Sequence, residues 1–517
     1  MRKLRAGVAG LICAAGLWLS LSGCAGLPPL AGRSVSKLIA DTENTKLGLA
    51  VGPLTAAHPG LSGVYALPGG ADAFAARMLL ANAAMRSLDV QYYIWHKDIT
   101  GMLLLDALRA AAGRGVRVRL LLDDNNTGGL DPILARFDAI PNVEVRLFNP
   151  FPLRSPRALG YLSDFFRLNR RMHNKSFTID NQATIVGGRN IGDEYFGAAG
   201  DVLFSDLDVV AIGPAVGAVS HDFDRYWNSG SAYPLRSLVP AAGPDAAARF
   251  DEEVARIGRG PAGLAYLEAM RVSPFVAQLV ERRLPLEWAD THLVSDDPDK
   301  VLGQAAQDSK VLPQLVEMVG QPAAALDLVS PYFVPGEAGA AAFEAMARRG
   351  VRVRILTNSF EATDVTPVHA GYAKWRKSLL ASGVRLFEMR RAWVDAGQRE
   401  AHGSGGSSSS SLHAKTFSVD GARVFVGSFN FDQRSFNLNT EMGLMIDSVA
   451  LAGQLTAALD QRLPAHAYEV GLNPDGSLYW VEHNGAAAVR HDSEPGTSYW
   501  QRIGLDVMTV LPIDWML

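Results

Sequence analysis

Cysteine is nearly absent: the 517 residues hold two, Cys13 and Cys24, both close to the N-terminus. The rest of the chain has no thiol for a disulfide or a cysteine zinc site, and no H-E-x-x-H stretch supplies another metal motif. Long apolar runs are also missing. Beyond the N-terminus no segment reaches the roughly eighteen uninterrupted apolar residues that a membrane-crossing helix needs. Nor is there a surplus of basic charge. Lys+Arg number 49 against 53 Asp+Glu, a net charge of −4, which argues against nucleic acid as the main partner. What is present, 48% hydrophobic and 20% charged residues, is a globular composition long enough for two domains.

The N-terminus departs from this pattern. Arg2, Lys3 and Arg5 precede a short apolar stretch at 6–21, and Leu21-Ser-Gly-Cys24 has the form of a lipobox. The stretch is short and runs through small residues into Cys24, which favours a cleaved leader over an uncleaved anchor. Similarity to bacterial lipoproteins implies removal of 1–23 and acylation of Cys24, so that acyl chains hold the protein on a membrane surface. Losing those three cations takes the charge from −4 to −7. Ala25 stands where enteric lipoproteins kept at the inner membrane have aspartate. The expected location is therefore the periplasmic side of a bacterial cell envelope, at the outer membrane before the inner.

One pattern occurs twice. MHNKSFTIDNQATIVGGRN at 172–190 and LHAKTFSVDGARVFVGSFN at 412–430 each carry H-x-K-x-x-x-x-D, as His173, Lys175 and Asp180, then His413, Lys415 and Asp420. Alternating apolar residues around a turn at 180–182 or 420–422 predict a β-hairpin, whose period of two puts each histidine and lysine on one face. A fold about Asn181 and Gln182 would bring Asn190 opposite His173, and the same register would bring Asn430 opposite His413. Imidazole, ammonium and carboxamide then converge, a set suited to an anionic phosphodiester. Lysine at the third position repels a cation, so no metal is expected.

A wider repeat surrounds the hairpins. Strand, helix and strand are predicted at 87–95, 101–113 and 115–123, and again at 326–334, 338–348 and 350–357. RGVRVRLLL returns as RGVRVRILT, and VRLF recurs at 145–148 and 384–387. The fold class is thus α/β, with two duplicated domains each built on a parallel or mixed sheet. The expected organisation is a leader at 1–23, a lipidated segment at 24–70, a first domain at 71–244 and a helical inter-domain insertion at 245–300. A second domain follows at 301–455, then a C-terminal tail packed on the core at 456–517. LPLEW at 284 and LPIDW at 511 suggest related packed tails. The Gly/Ser run at 403–411 reads as a flexible loop, a lid or a passive linker.

The doubled motif, each copy followed by G-G/S-x-N, resembles the phospholipase D superfamily. SLDVQYYIWHKD, VRVRLLLDDNN and the full first hairpin look like its bacterial cardiolipin synthase branch, over residues 70 to 517. The resemblance implies two domains packed pseudo-symmetrically about one cleft and phosphatidyl transfer that makes cardiolipin through a phosphohistidine, without a cofactor. It also implies His173 as nucleophile and His413 as acid and then base, although the symmetry of the sequence leaves the reverse open. Lys175, Lys415, Asn190 and Asn430 would stabilise the phosphate oxygens, and Asp180 and Asp420 look structural. Ser428 could add a hydroxyl beside the phosphate where the first copy has Gly188. Asp206, with Asp208 as competitor, and Glu441 are placed on following strands to orient the histidines.

The expected substrates are phospholipids, phosphatidylglycerol first and phosphatidylethanolamine as a second candidate. The alternative outcome is hydrolysis to phosphatidate; a nuclease or an idle lipid-binding lipoprotein stands further off. Asp123 to Asn126 could read a headgroup or form an acidic turn. Arg167, Arg170 and Arg171 could attract anionic lipid or face solvent, and core packing is the default for Tyr92, Tyr93 and Trp95.

Overall fold

The computed structural model describes residues 26–198, 206–271, 273–281, 283–391, 412–485 and 487–511. The candidate leader with Cys24, the Gly/Ser run at 403–411 and residues 512–517 of the second packed tail lie outside them. The first half contains β1 (Ser62–Leu67), β2 (Ser87–Ile94), β3 (Arg117–Asn126), β4 (Val143–Phe148), β5 (Ser176–Ile179), β6 (Ala183–Gly187), β7 (Asp208–Ile212) and β8 (Ala232–Pro234). Then come β9 (Glu287–Ser295), β10 (Ala325–Val329), β11 (Arg352–Asn358), β12 (Arg385–Met389), β13 (Lys415–Val419), β14 (Arg423–Gly427), β15 (Met442–Asp447), β16 (Ala467–Leu472), β17 (Leu478–Asn484) and β18 (Ala487–His491).

Strands β2, β3 and β4 run parallel. From β2 the sheet continues antiparallel through β5, β6, β7 and β1, and β8 closes the other edge on β4. The second sheet repeats the order, with β10, β11 and β12 parallel, β13, β14, β15 and β9 following from β10, and β16 against β12. Strand β9 takes the place of β1 in the second sheet and also pairs with β1, so one antiparallel seam joins the halves.

The near-identical VRVR segments recur because each does the same job. Arg119 on β3 makes a bidentate pair with Asp89 on β2, both bonds 2.7 Å. Arg354 on β11 repeats it on Asp327 of β10 at 2.7 and 2.9 Å. Both arginines lie inside otherwise apolar parallel strands, where a planar fork matched to a carboxylate is the arrangement that tolerates burial. Around them each sheet packs its crossover helices, with Val90, Leu104 and Leu120 in the first core and Phe343, Ile355 and Phe417 in the second. A third core, including Val186, Val209, Val424, Val426 and Leu444, lies between the halves.

The domain limits differ from those expected. Residues 245–300 do carry helices at Ala246–Arg259, Pro261–Arg271 and Pro274–Val280, but β9 follows and opens the second repeat before residue 301. Likewise β1 belongs to the first sheet although it falls within 24–70. Helix Val449–His466 crosses residue 455, and β16 to β18 extend the second sheet into what was expected to be a tail. Strands β1 and β9 lie at the seam between the sheets, and their mixed burial weakens the alternation that a sequence reading depends on.

Candidate active site

Each H-x-K leads into the first strand of its hairpin. Ile179 pairs with Ala183 and Val419 with Arg423, which leaves three residues in each turn and moves the register by one from that expected. The cause is the motif aspartate. Asp180 and Asn181 in one turn, and Asp420 and Gly421 in the other, all take positive φ, which shapes a three-residue turn around the carboxylate. Asp180 then accepts the N–H groups of Met85, Arg86 and Ser87 at 3.0, 2.7 and 2.9 Å. Asp420 accepts those of Ala323, Ala324 and Ala325 at 3.0, 2.7 and 2.9 Å. Each therefore ties its hairpin to the start of β2 or β10.

Asp180 is fully buried and Asp420 is not. Asp180→Ala is expected to cost about 3 kcal/mol, because one buried and two part-buried N–H donors lose a fully buried acceptor, and Asp420→Ala about 1 kcal/mol, because water replaces it. Urea denaturation of both variants measures the difference.

The two halves are stitched together at the first histidine. His173 N–H donates to Thr440 O at 2.8 Å, Thr440 N–H donates to Arg171 O at 2.9 Å, and the Arg434 guanidinium donates to Asn169. The carboxylates expected to orient the histidines cross this junction. His173 Nδ1 meets Glu441 Oε2 of the second half at 2.8 Å, and His413 Nδ1 meets Asp206 Oδ2 of the first half at 2.6 Å. Glu441 stands immediately before β15 and Asp206 two residues before β7, instead of within them. Asp208, the competitor, pairs with Arg77 at 2.9 Å.

The half-sites are unequal in a way that fits their carboxylates. A Cβ at Gly188 would lie 2.2 Å from Asp206 Oδ1, so the first copy needs glycine there. The longer Glu441 leaves room for Ser428, whose hydroxyl, expected beside the phosphate, donates instead to Glu441 Oε2 at 2.5 Å. Ser435 donates to Glu441 Oε1 at 2.8 Å, a contact that sequence reasoning missed.

Lys175 Nζ donates to His173 O at 2.6 Å, and Lys415 Nζ bonds His413 O in the same way. Asn190 Oδ1 accepts from Ile94 N–H at 3.2 Å, and its buried Nδ2 has no hydrogen-bond partner among the described residues. Asn430 Oδ1 is likewise buried and unpartnered among them. Tyr93 sets an edge against His173, 5.0 Å between centroids, and Tyr195 does so against His413 at 5.1 Å. Tyr195 could have been suspected only from its spacing five residues after Asn190, where the second copy has Ser435.

Burial dominates the electrostatics. It lowers the His173 imidazole well below its ordinary range, helped by Lys175 and then Lys415. His413 falls to about 3 through burial and Lys415, against the pull of Asp206. Burial takes Lys415 down to about 8 and Lys175 well below the usual lysine value. Burial pushes Asp206 up, but His413, Lys415 and Arg189 hold it below the carboxylate range. Glu441 is raised by burial, opposed by Lys175 and two serines. Lys415 acts on His173 and Lys175 acts on His413, so the motifs share one electrostatic site.

Several other candidates belong to the framework. Asp123 holds Arg171, at 2.8 Å, and Met172 N–H; Asp124 holds Arg154 and Phe151 N–H. Neither reads as a headgroup ligand. Arg167 is bound to Asp164 and Asn149. Among the described residues, His96, Asp98 and Glu194 bring three possible metal ligands within 4.8 Å, but Asp98 already caps the helix Ile99–Gly113.

Comparison with known proteins agrees with this geometry. The family model described as "Cardiolipin synthase, PLD-like domain" matches residues 78–227 and 315–463. The chain is 50% identical to cardiolipin synthase C of Escherichia coli over 472 residues, 91% of this chain and 100% of that protein. It is 26% identical to cardiolipin synthase A of Pseudomonas syringae over 397 residues, 77% of this chain and 67% of that one. Among solved structures, phosphatidylserine synthase of Haemophilus influenzae aligns with a TM-score of 0.53 at 15% identity, over 79% of this chain and 89% of that one. The duplicated fold, the paired H-x-K hairpins and these matches together establish that the chain belongs to the phospholipase D superfamily, in its cardiolipin synthase branch.

Proposed function

We propose that this protein makes cardiolipin by phosphatidyl transfer between phospholipids through a phosphohistidine. The observation that carries the proposal is the crossed pair of histidine–carboxylate contacts over one site with two lysines, in a chain half identical to a cardiolipin synthase along that relative's full length. With phosphatidylglycerol as donor, His173 Nε2 attacks phosphorus, the P–O bond to glycerol breaks, and His413 gives the leaving oxygen its proton. His413 then takes the proton from a hydroxyl of a second phosphatidylglycerol, which attacks phosphorus as the P–N bond breaks. Cardiolipin and glycerol are the products; ethanolamine replaces glycerol if phosphatidylethanolamine is the donor.

The charge state is consistent with this cycle. Both imidazoles are neutral in the empty site, as a nucleophile must be. An anionic diester beside Lys175 and Lys415 offsets their charge and raises His413 towards the protonated form that it needs as an acid. The Asn190 Nδ2 donor is available to a phosphate oxygen, as is the Asn430 amide once turned about its axis. Acid-labile phosphatidyl adducts on the His173 peptide, found by mass spectrometry after rapid quench, test the intermediate; an adduct on His413 instead would reverse the two roles.

Lys415 gives a pH signature. Its ammonium is present below about 8 and lost above, so kcat/KM is expected to fall as pH rises through that value. Arginine keeps its charge, so Lys415→Arg loses the step near 8 even if the plateau is lower, and keeps only the step that Lys175, also lowered by burial, contributes.

No helix among the described residues is long and apolar enough to cross a membrane. The lipobox at Cys24 and a surface element support attachment instead. In helix Gly160–Leu168, which ends five residues before His173, Leu162 is 78% exposed and Phe166 77%. Such side chains beside a lipid site suit insertion among headgroups. Leu162→Glu with Phe166→Glu is expected to weaken binding of protein lacking the lipid anchor to phosphatidylglycerol vesicles about tenfold in a flotation assay.

A further inference from the structure

The internal repeat supplies its own control for a cavity beside His413. In the first half, Arg119 ties the sheet to Asp224 of helix Pro214–Trp227 at 2.8 Å; in the second, Arg354 binds Asp460 of helix Val449–His466. This fixes the correspondence of the two helices. Phe223, Tyr226 and Trp227 in the first become Leu459, Arg462 and Leu463 in the second. On the strands, Asn174 becomes Ala414 and Gln91 becomes Val329 by the alignment of the motifs.

The consequence is a difference in packing. Phe223, Tyr226 and Trp227 fill the space against Leu121, Phe148 and Met172, and the cluster is sealed from solvent. The smaller residues of the second half leave a cavity of about 320 Å³, lined by Val329, Leu459 and Leu463 among other aliphatic groups. One end reaches Asp206, Leu412 and Ala414, the carboxylate bonded to His413 and the two neighbours of that histidine. Arg462 and His466, both exposed, also line it and open it to solvent.

We infer that this cavity receives one hydrocarbon chain of the phospholipid whose phosphate lies at the histidines, an inference that rests on the proposed function. Most of its wall is aliphatic: Gln454, Arg462 and His466 stand at the exposed mouth, Thr416 spends its hydroxyl on Phe425 O, and Asp206 is already committed to His413 and Leu207 N–H, so a polar ligand deep in the cavity would be desolvated with little return. A chain attached to the reacting phosphate meets both conditions, an apolar body and an end held at His413. The first half, whose equivalent space is filled, has no such place. The active site is therefore asymmetric towards lipid, with one lipid anchored on the second-half side.

The test restores to the second half what the first half carries. Leu459→Phe with Leu463→Trp, and separately Ala458→Phe, fill the cavity from the same helix. Release of glycerol is followed from dioleoyl and from dihexanoyl phosphatidylglycerol, with thermal melting as a check on folding. The long-chain to short-chain ratio of kcat/KM is expected to fall at least tenfold in a folded variant. An unchanged ratio in whichever variant folds would overturn the inference and leave the cavity as a packing void. If the unsubstituted protein released no headgroup from either lipid, the proposed function itself would fail, a result distinct from an unchanged ratio.

Discussion

Replacing either histidine by alanine is expected to lower phosphatidyl transfer by at least about a thousandfold, because in the proposed cycle each has a step that no neighbouring group can take over. The lysines beside them are spent on their own backbone carbonyls and on charge stabilisation, and the carboxylates reach only the Nδ1 side of each ring. The two losses should differ in kind. With an activated phosphatidyl ester whose leaving group needs no proton, His413→Ala should still release that group once and stall as an adduct on His173, whereas His173→Ala should release none. Burst kinetics with a chromogenic leaving group read this directly. Identical behaviour of the two variants would argue against separate roles.

The second large effect concerns the crossed carboxylates. Asp206→Asn is expected to reduce turnover about a hundredfold, since the amide can no longer fix the tautomer and orientation of His413 or stabilise its imidazolium. Glu441→Gln should cost a similar factor through His173. Because Asp206 belongs to the first half but serves the histidine of the second, Asp206→Asn should share the activated-ester behaviour of His413→Ala. Glu441→Gln should follow His173→Ala. If Asp206→Asn instead grouped with His173→Ala, the crossed arrangement would not be the one used in catalysis. Neither carboxylate contributes to the hydrophobic core, and circular dichroism with thermal melting separates a catalytic loss from unfolding.

Much of this was legible in the sequence because duplication doubles a weak signal. A single H-x-K is common, but two in matched hairpins, each near its VRVR strand and its VRLF strand, point to one repeated sheet and one shared site. The strands expected at 87–95 and 115–123 are close to β2 and β3, since their apolar runs are buried on both faces and need no partner to be recognised. What could not be read was anything fixed by contact between the halves. Strand β9 belongs to both sheets, and its burial alternates only in part. The pairing of Asp206 with His413 depends on how two domains pack, which no local spacing encodes. Ser428 illustrates the same point: a hydroxyl beside a histidine motif suggests phosphate binding, and only the reach of Glu441 shows where its proton goes. The hairpin register slipped by one because Asp180 and Asp420 spend their carboxylates on distant backbone, which widens each turn.

The most direct test of the central claim is mass spectrometry of lipids after incubating the protein with phosphatidylglycerol vesicles, with and without phosphatidylethanolamine, beside His173→Ala and His413→Ala. Cardiolipin formed by the unsubstituted protein and absent with both variants is the predicted result, and a requirement for phosphatidylethanolamine would identify it as the donor. Phosphatidate without cardiolipin, or cardiolipin persisting in either variant, would contradict the account.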